Sequence, residues 1–134
     1  MNAARPAVSQ PQVAIVHDYF TQRGGAERVV ERMAALFGRS RVYAAVADQA
    51  ALSPSFTPNA IATTPLQWLR TAGVPLQALA PVLPWAFGRI DLGSADVVIS
   101  SSSAFAHHVR PPAATVHVCY CHTPPRFLWE PADY

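Results

Sequence analysis

"VAIVHDYFTQRGGAERVVERMAALF", residues 13–37, changes its apolar period partway along, and that change decides the fold. Val13 to Val16 is a short, continuous, largely β-branched apolar run, of the kind buried on both faces of a parallel sheet. After a polar link carrying Gly24 and Gly25, apolar side chains recur at Ala26, Val29, Val30, Met33, Ala34 and Phe37. That spacing predicts one face of an α-helix, stopped by Gly38. "RVYAAVA" (41–47) then reads as a second strand, so strand, helix and strand form a βαβ unit whose crossover should be right-handed.

The same alternation continues downstream. "AIATT" (60–64) is a weaker third strand. Residues 65–90 are apolar and helix-compatible in pieces, but Pro75, Pro81 and Pro84 forbid one long helix, so two short helices with a break are expected. "DVVIS" (96–100) and "TVHVCYC" (115–121) supply two more strands, with "SSAFAHHV" (102–109) as a short helix or turn between them. The whole predicts a doubly wound, Rossmann-like parallel sheet with helices on both faces. It occupies 13–134 as one domain, after a loose N-terminal arm over 1–12.

Composition narrows the function classes. Hydrophobic residues make up 51% of the 134 and charged residues 13%, a balance that gives a buried core and argues against global disorder. A formal charge of +2 is too small to argue for nucleic acid. Residues 1–12 fit neither a secretory signal nor a transit peptide, and no run of about eighteen apolar residues exists to span a membrane. The expected compartment is the cytoplasm, where the closely spaced Cys119 and Cys121 would stay reduced.

"VHVCYCHTPPRFLWE" (116–130) concentrates polar chemistry near the end of the chain. On a strand, His117, Cys119 and Cys121 share a face, but alternate residues lie roughly 6.5–7 Å apart, too far for all three to surround one ion. No metal is expected there, and the cysteines read as small residues buried beneath a helix. His122 differs because it ends the strand, and Pro124 and Pro125 prevent regular pairing beyond it. Its imidazole therefore belongs at the carboxyl edge of the sheet, where open α/β sheets bind ligands.

Other strand ends converge on that edge. His17 and Asp18 close the first strand, and Ser100 to Ser103 follow "DVVI". Gly24 and Gly25 open the first helix, where backbone N–H groups and the helix dipole can meet an anion. The pattern is neither a complete G-x-G-x-x-G nor a Walker loop, and Glu27 would compete with a phosphate for those donors. Each piece also has a plain structural reading: a tight turn for Gly-Gly, a cap for the serines, a wet face for the charges of the first helix. Their joint placement on one edge favours function.

Residues 13–37, "ADVVISSSSAFA" (95–106) and "VCYCHTPPRFLWE" (118–130) together resemble the N-terminal domain of family 4 retaining glycosyltransferases of GT-B fold. They are most similar to mannosyl- and rhamnosyltransferase-like enzymes of surface-polysaccharide assembly. The string C-Y-C-H-T-P-x-R-[FY]-x-W is the most specific part. The resemblance implies that Gly24 and Gly25 approach the donor diphosphate. It also implies that His122, the catalytic candidate, contacts the transferred sugar or the reacting hydroxyl, and that Asp18, Ser102 and Arg126 contribute to an acceptor pocket. His107 and His108 stand where the family usually shows a lysine, and Phe127 replaces a common tyrosine, so acceptor identity stays open.

The implied reaction moves a sugar from a nucleotide diphosphate sugar to a glycan or lipid-linked acceptor with retention, using no metal or other cofactor. Family members carry the nucleotide in a C-terminal domain. The expectation is accordingly an acceptor-side half that binds the donor weakly, self-associates through the surface meant for that domain, and is inactive alone. A non-catalytic binding or partner domain of the same fold is the alternative. A serine hydrolase is disfavoured because G-x-S-x-G is absent. Trp68, Leu69, Val82, Leu83, Trp85 and Phe87, with Arg70 and Arg89 nearby, also form a proline-broken amphipathic segment able to lie in a lipid interface.

Overall fold

Every residue of the first strand, β1 (Val13–His17), is buried, as its continuous apolar run requires of a strand covered on both faces. The computed structural model describes residues 9–57 and 60–124. Among them β2 (Arg41–Ala44), β3 (Ile61–Thr63), β4 (Val97–Ser102) and β5 (Val116–Cys121) join β1 in one sheet of order β3-β2-β1-β4-β5. All pairs are parallel. The fold is α/β and Rossmann-like.

Side chains alternate between two cores. Val13 and Ile15 face the helix α1 (Gly25–Leu36), packing with Val30 and Phe20. Ala14, Val16 and Val98 face the other layer, where Leu83 and Phe87 of α4 (Leu83–Phe87) lie fully buried. Each of those two side chains contributes roughly 2–3 kcal/mol by leaving water. α1 ends at Leu36, and the Phe37 N–H closes its last turn onto the Met33 carbonyl just before Gly38.

The prolines cut 65–90 more finely than expected. α2 (Leu66–Thr71) closes in a Schellman turn: Val74 N–H reaches Leu69 O, Gly73 N–H reaches Arg70 O, and Gly73 adopts φ 96°. α3 (Leu76–Leu79), a 3-10 turn (Ala80–Val82) and α4 come next, with Pro81 and Pro84 seated in first turns where no N–H is needed. Leu83 and Phe87 therefore fill the core and do not join an interfacial face. Trp68, Val82 and Trp85 do point outward, while Arg70 is paired with Asp48 and Arg89 lies over the Trp85 ring. No described helix is long and apolar enough to cross a membrane.

Three expectations need correction. β2 stops at Ala44, yet Ala45 to Ala47 stay buried because the chain pairs next with the loop after β1, Phe20 N–H bonding Val46 O. β4 runs on through Ser102, absorbing most of the serine run. The cysteines are not beneath a helix: β5 is the edge strand, all six residues are exposed, and Cys119 and Cys121 are free thiols. The 103–115 connection packs its 3-10 turn (Ala106–His108) against α4 and β4, leaving β5 uncovered among the described residues. Of the expected arm, residues 1–8 lie outside the described range, and Gln12 is pinned to Asp96 through its N–H and carbonyl.

Candidate functional site

Strand order reverses between β1 and β4, so their outgoing connections leave on opposite faces, the arrangement that in open α/β sheets makes a ligand crevice beyond the carboxyl ends. His17 and Asp18 stand at the end of β1, with His17 in register with Ser101 of β4. Gly24 and Gly25 begin α1 on one side, and His122 comes after β5 on the other, its N–H bonded to Ser102 O. The sheet thus gathers these groups from four segments.

Asp18 is enclosed by backbone. Its Oδ2 accepts the N–H groups of Ser103 at 2.7 Å and Ala104 at 3.1 Å, and its Oδ1 those of Phe105 at 2.9 Å and Ala106 at 2.6 Å. Successive N–H groups of this kind form an anion-binding concavity, here filled by the protein's own carboxylate. Asp18 therefore shapes the crevice by fixing the turn after β4. Ser102, also buried, lies between Asp18 and His107, with its Oγ 3.0 Å from His107 Nδ1.

A second polar chain crosses the crevice. Glu27 reaches back to the start of its own helix, where Oε2 accepts the Gly24 N–H at 2.8 Å, half of a capping box whose other half glycine cannot provide. Its Oε1 lies 3.7 Å from His17 Nε2. His17 Nδ1 sits 3.0 Å from Ser101 O and 3.2 Å from Ser101 Oγ, and Ser101 Oγ is 2.7 Å from His122 Nε2. His17, Glu27 and Ser101 are buried; His122 is half-buried at the mouth and stacks obliquely on Tyr120.

Burial holds the His122 imidazole below its ordinary value, His17 adds to the effect, and Asp18 and Glu27 oppose it; His122 is neutral near pH 7. Burial, then His108, likewise lowers His107, against the pull of Asp18. For Glu27 burial acts upward, but the contacts with His17 and the backbone outweigh it and keep the carboxyl below its usual range. A negative side chain therefore takes one of the N–H donors at the helix N-terminus. Gly24 has its N–H engaged and no room for a side chain, since a Cβ would come within 2.8 Å of Glu27 Oε2. Gly25 opens onto space, with nothing within 4 Å of a Cβ.

Of the expected site residues, Asp18, Gly24, Gly25, Ser102 and His122 gather at this crevice, and Arg126 lies outside the described residues. Glu27 takes a donor at the helix start, as its first-turn position implies, and not the wet face that is the plain reading of its helix's charges, whereas the sequence singles out no role for Ser101. Cys119 and Cys121 stay apart from the chain of contacts, while His117 bonds Ser100 Oγ at 3.0 Å on the opposite face. Two grooves of about 340 and 410 Å³ lie elsewhere, one beside Tyr43 and Trp85, the other at the amino end of the sheet. The second is polar, lined by Gln10, Gln12, Arg39, Arg41 and Ser94, but lies at the end of the sheet opposite His122.

Comparison of the chain with protein-family models, with curated proteins and with solved structures gives no match.

Proposed function

We propose that this chain is the acceptor-side domain of a retaining glycosyltransferase of the GT-B type, moving a sugar from a nucleotide diphosphate sugar to a glycan or lipid-linked acceptor. One observation carries the reading: His122, held by Ser101 at 2.7 Å, and the Gly24-Gly25 start of α1 flank the same crevice beyond β1 and β4. Such a reaction asks the protein to position two substrates and to meet the charge that develops on the departing diphosphate. The Gly25 end of the helix suits the diphosphate, and His122 suits the sugar or the reacting hydroxyl. Asp18 supports the acceptor side by fixing the 103–106 turn, Ser102 lies beside it against His107, and Arg126 is a further candidate. A single wall holds a nucleotide weakly and cannot exclude water, so the isolated domain transfers no sugar.

In a protein joining this domain to a nucleotide-binding partner domain, His122→Ala should lower turnover by roughly 10²–10⁴ while the unfolding midpoint barely moves. Unchanged turnover would refute the role of His122. The setting fits the cytoplasmic face of a membrane, with Trp68, Val82 and Trp85 as the interfacial contacts. Flotation with anionic vesicles tests that part, and failure to float at low salt would refute it.

A further inference from the structure

We infer that Ser101, oriented by His17 and Glu27, fixes neutral His122 as its Nδ1–H tautomer, so that His122 meets a ligand as a hydrogen-bond donor. Only the functional consequence rests on the glycosyltransferase reading; the tautomer itself is set by the contacts.

A carbonyl oxygen can only accept. The 3.0 Å contact between His17 Nδ1 and Ser101 O therefore requires a proton on Nδ1, whichever charge state His17 adopts. That N–H also points to Ser101 Oγ at 3.2 Å, so the serine oxygen is an acceptor on this side. Glu27 Oε1, 3.7 Å from the other ring nitrogen, helps hold the ring's orientation. The Ser101 hydroxyl is fully buried, and its proton needs an acceptor. His122 Nε2, at 2.7 Å, is positioned to take it. Nε2 then uses its lone pair on Ser101, and the ring proton resides on Nδ1.

Ser101, His17 and Glu27 are positioning residues. Through them His122 offers N–H to an oxygen lone pair, such as a sugar hydroxyl or a phosphate oxygen, and has no lone pair with which to take a proton from an acceptor hydroxyl.

Long-range proton–nitrogen NMR of the histidine rings in the 134-residue chain at neutral pH tests the assignment. The expected spectrum shows His122 Nδ1 protonated and Nε2 bare, the reverse of the form favoured by free imidazole in water. Ser101→Ala should shift His122 toward Nε2–H. His17→Asn, whose amide can replace the Nδ1–H donor, should preserve the wild-type tautomer. Amide spectra report whether each variant folds; if Ser101→Ala does not, the wild-type spectrum and His17→Asn decide. Nε2–H in the wild type, undiminished Nδ1–H in folded Ser101→Ala, or loss of Nδ1–H in folded His17→Asn would overturn the proposal. No ligand enters the measurement, so its outcome is independent of the glycosyltransferase reading.

Discussion

Asp18 Oδ1 and the backbone nitrogen of Ala106 meet at 2.6 Å across 88 positions of sequence. This bond and its three neighbours tie the end of β1 to the turn after β4, the two chain segments that bound the crevice. The carboxylate works as an internal anion, and the shape of the crevice depends on it.

Removing that anion should be costly. Asp18→Ala leaves four N–H groups without their acceptor, and a loss on the order of 3 kcal/mol or more is expected from charge-assisted bonds of this type. Asp18→Asn, which keeps the shape and one oxygen, should lose less. Urea unfolding measures both. A midpoint unchanged in Asp18→Ala would mean that the carboxylate is available to ligands and is not structural.

Stability should decline on mild acidification. His122 and His107 are both lowered by burial from 6.5, so the unfolded chain takes up protons that the folded chain resists as pH falls through about 6.5. The loss grows until pH passes below their folded values. Glu27, held below its ordinary 4.5 against the effect of burial, adds stability that is complete above that pH and disappears as pH falls through its folded value. Tm measured against pH should therefore fall below about pH 6.5, less steeply in a His107→Asn/His122→Asn variant. A Tm that rises over that interval contradicts the assignment.

The two adjacent glycines should respond differently. In Gly24→Ala the new methyl meets Glu27 Oε2 at 2.8 Å, so the carboxylate must leave its place beside His17 or the helix start must shift. Gly25→Ala meets nothing and gains roughly 0.4–1 kcal/mol by restricting the unfolded chain. Thermal unfolding should rank Gly25→Ala above the wild type and Gly24→Ala below it. The reverse order would mean that Glu27 does not occupy the helix start.

Much of the fold was legible because β1 and α1 carry distinct apolar periods, and because Pro75, Pro81 and Pro84 punctuate the short helices between β3 and β4. The exposure of β5 was not. "VHVCYC" has the apolar character of a buried strand, and only the sheet order reveals that it forms an edge. At the site, His122 and the glycines could be placed from strand ends alone. The Asp18 enclosure could not, because its partners lie 85 to 88 positions away and are backbone groups that no side-chain pattern encodes. Ser101 was hidden in a serine run whose members differ only in the face to which β4 turns them: Ser101 faces His17 and His122, Ser100 faces His117.

The most direct test of the glycosyltransferase reading is an amide- and histidine-detected NMR titration of the 134-residue chain with nucleotide diphosphate sugars, mannosyl and rhamnosyl donors included. The account predicts weak, saturable binding with a Kd on the order of 1 mM, about −4 kcal/mol. The largest shifts should fall at Gly24, Gly25, the 101–103 segment and the His122 ring. Absence of shifts at those positions, or shifts confined to the groove beside Tyr43, Trp85 and Arg89, would contradict it.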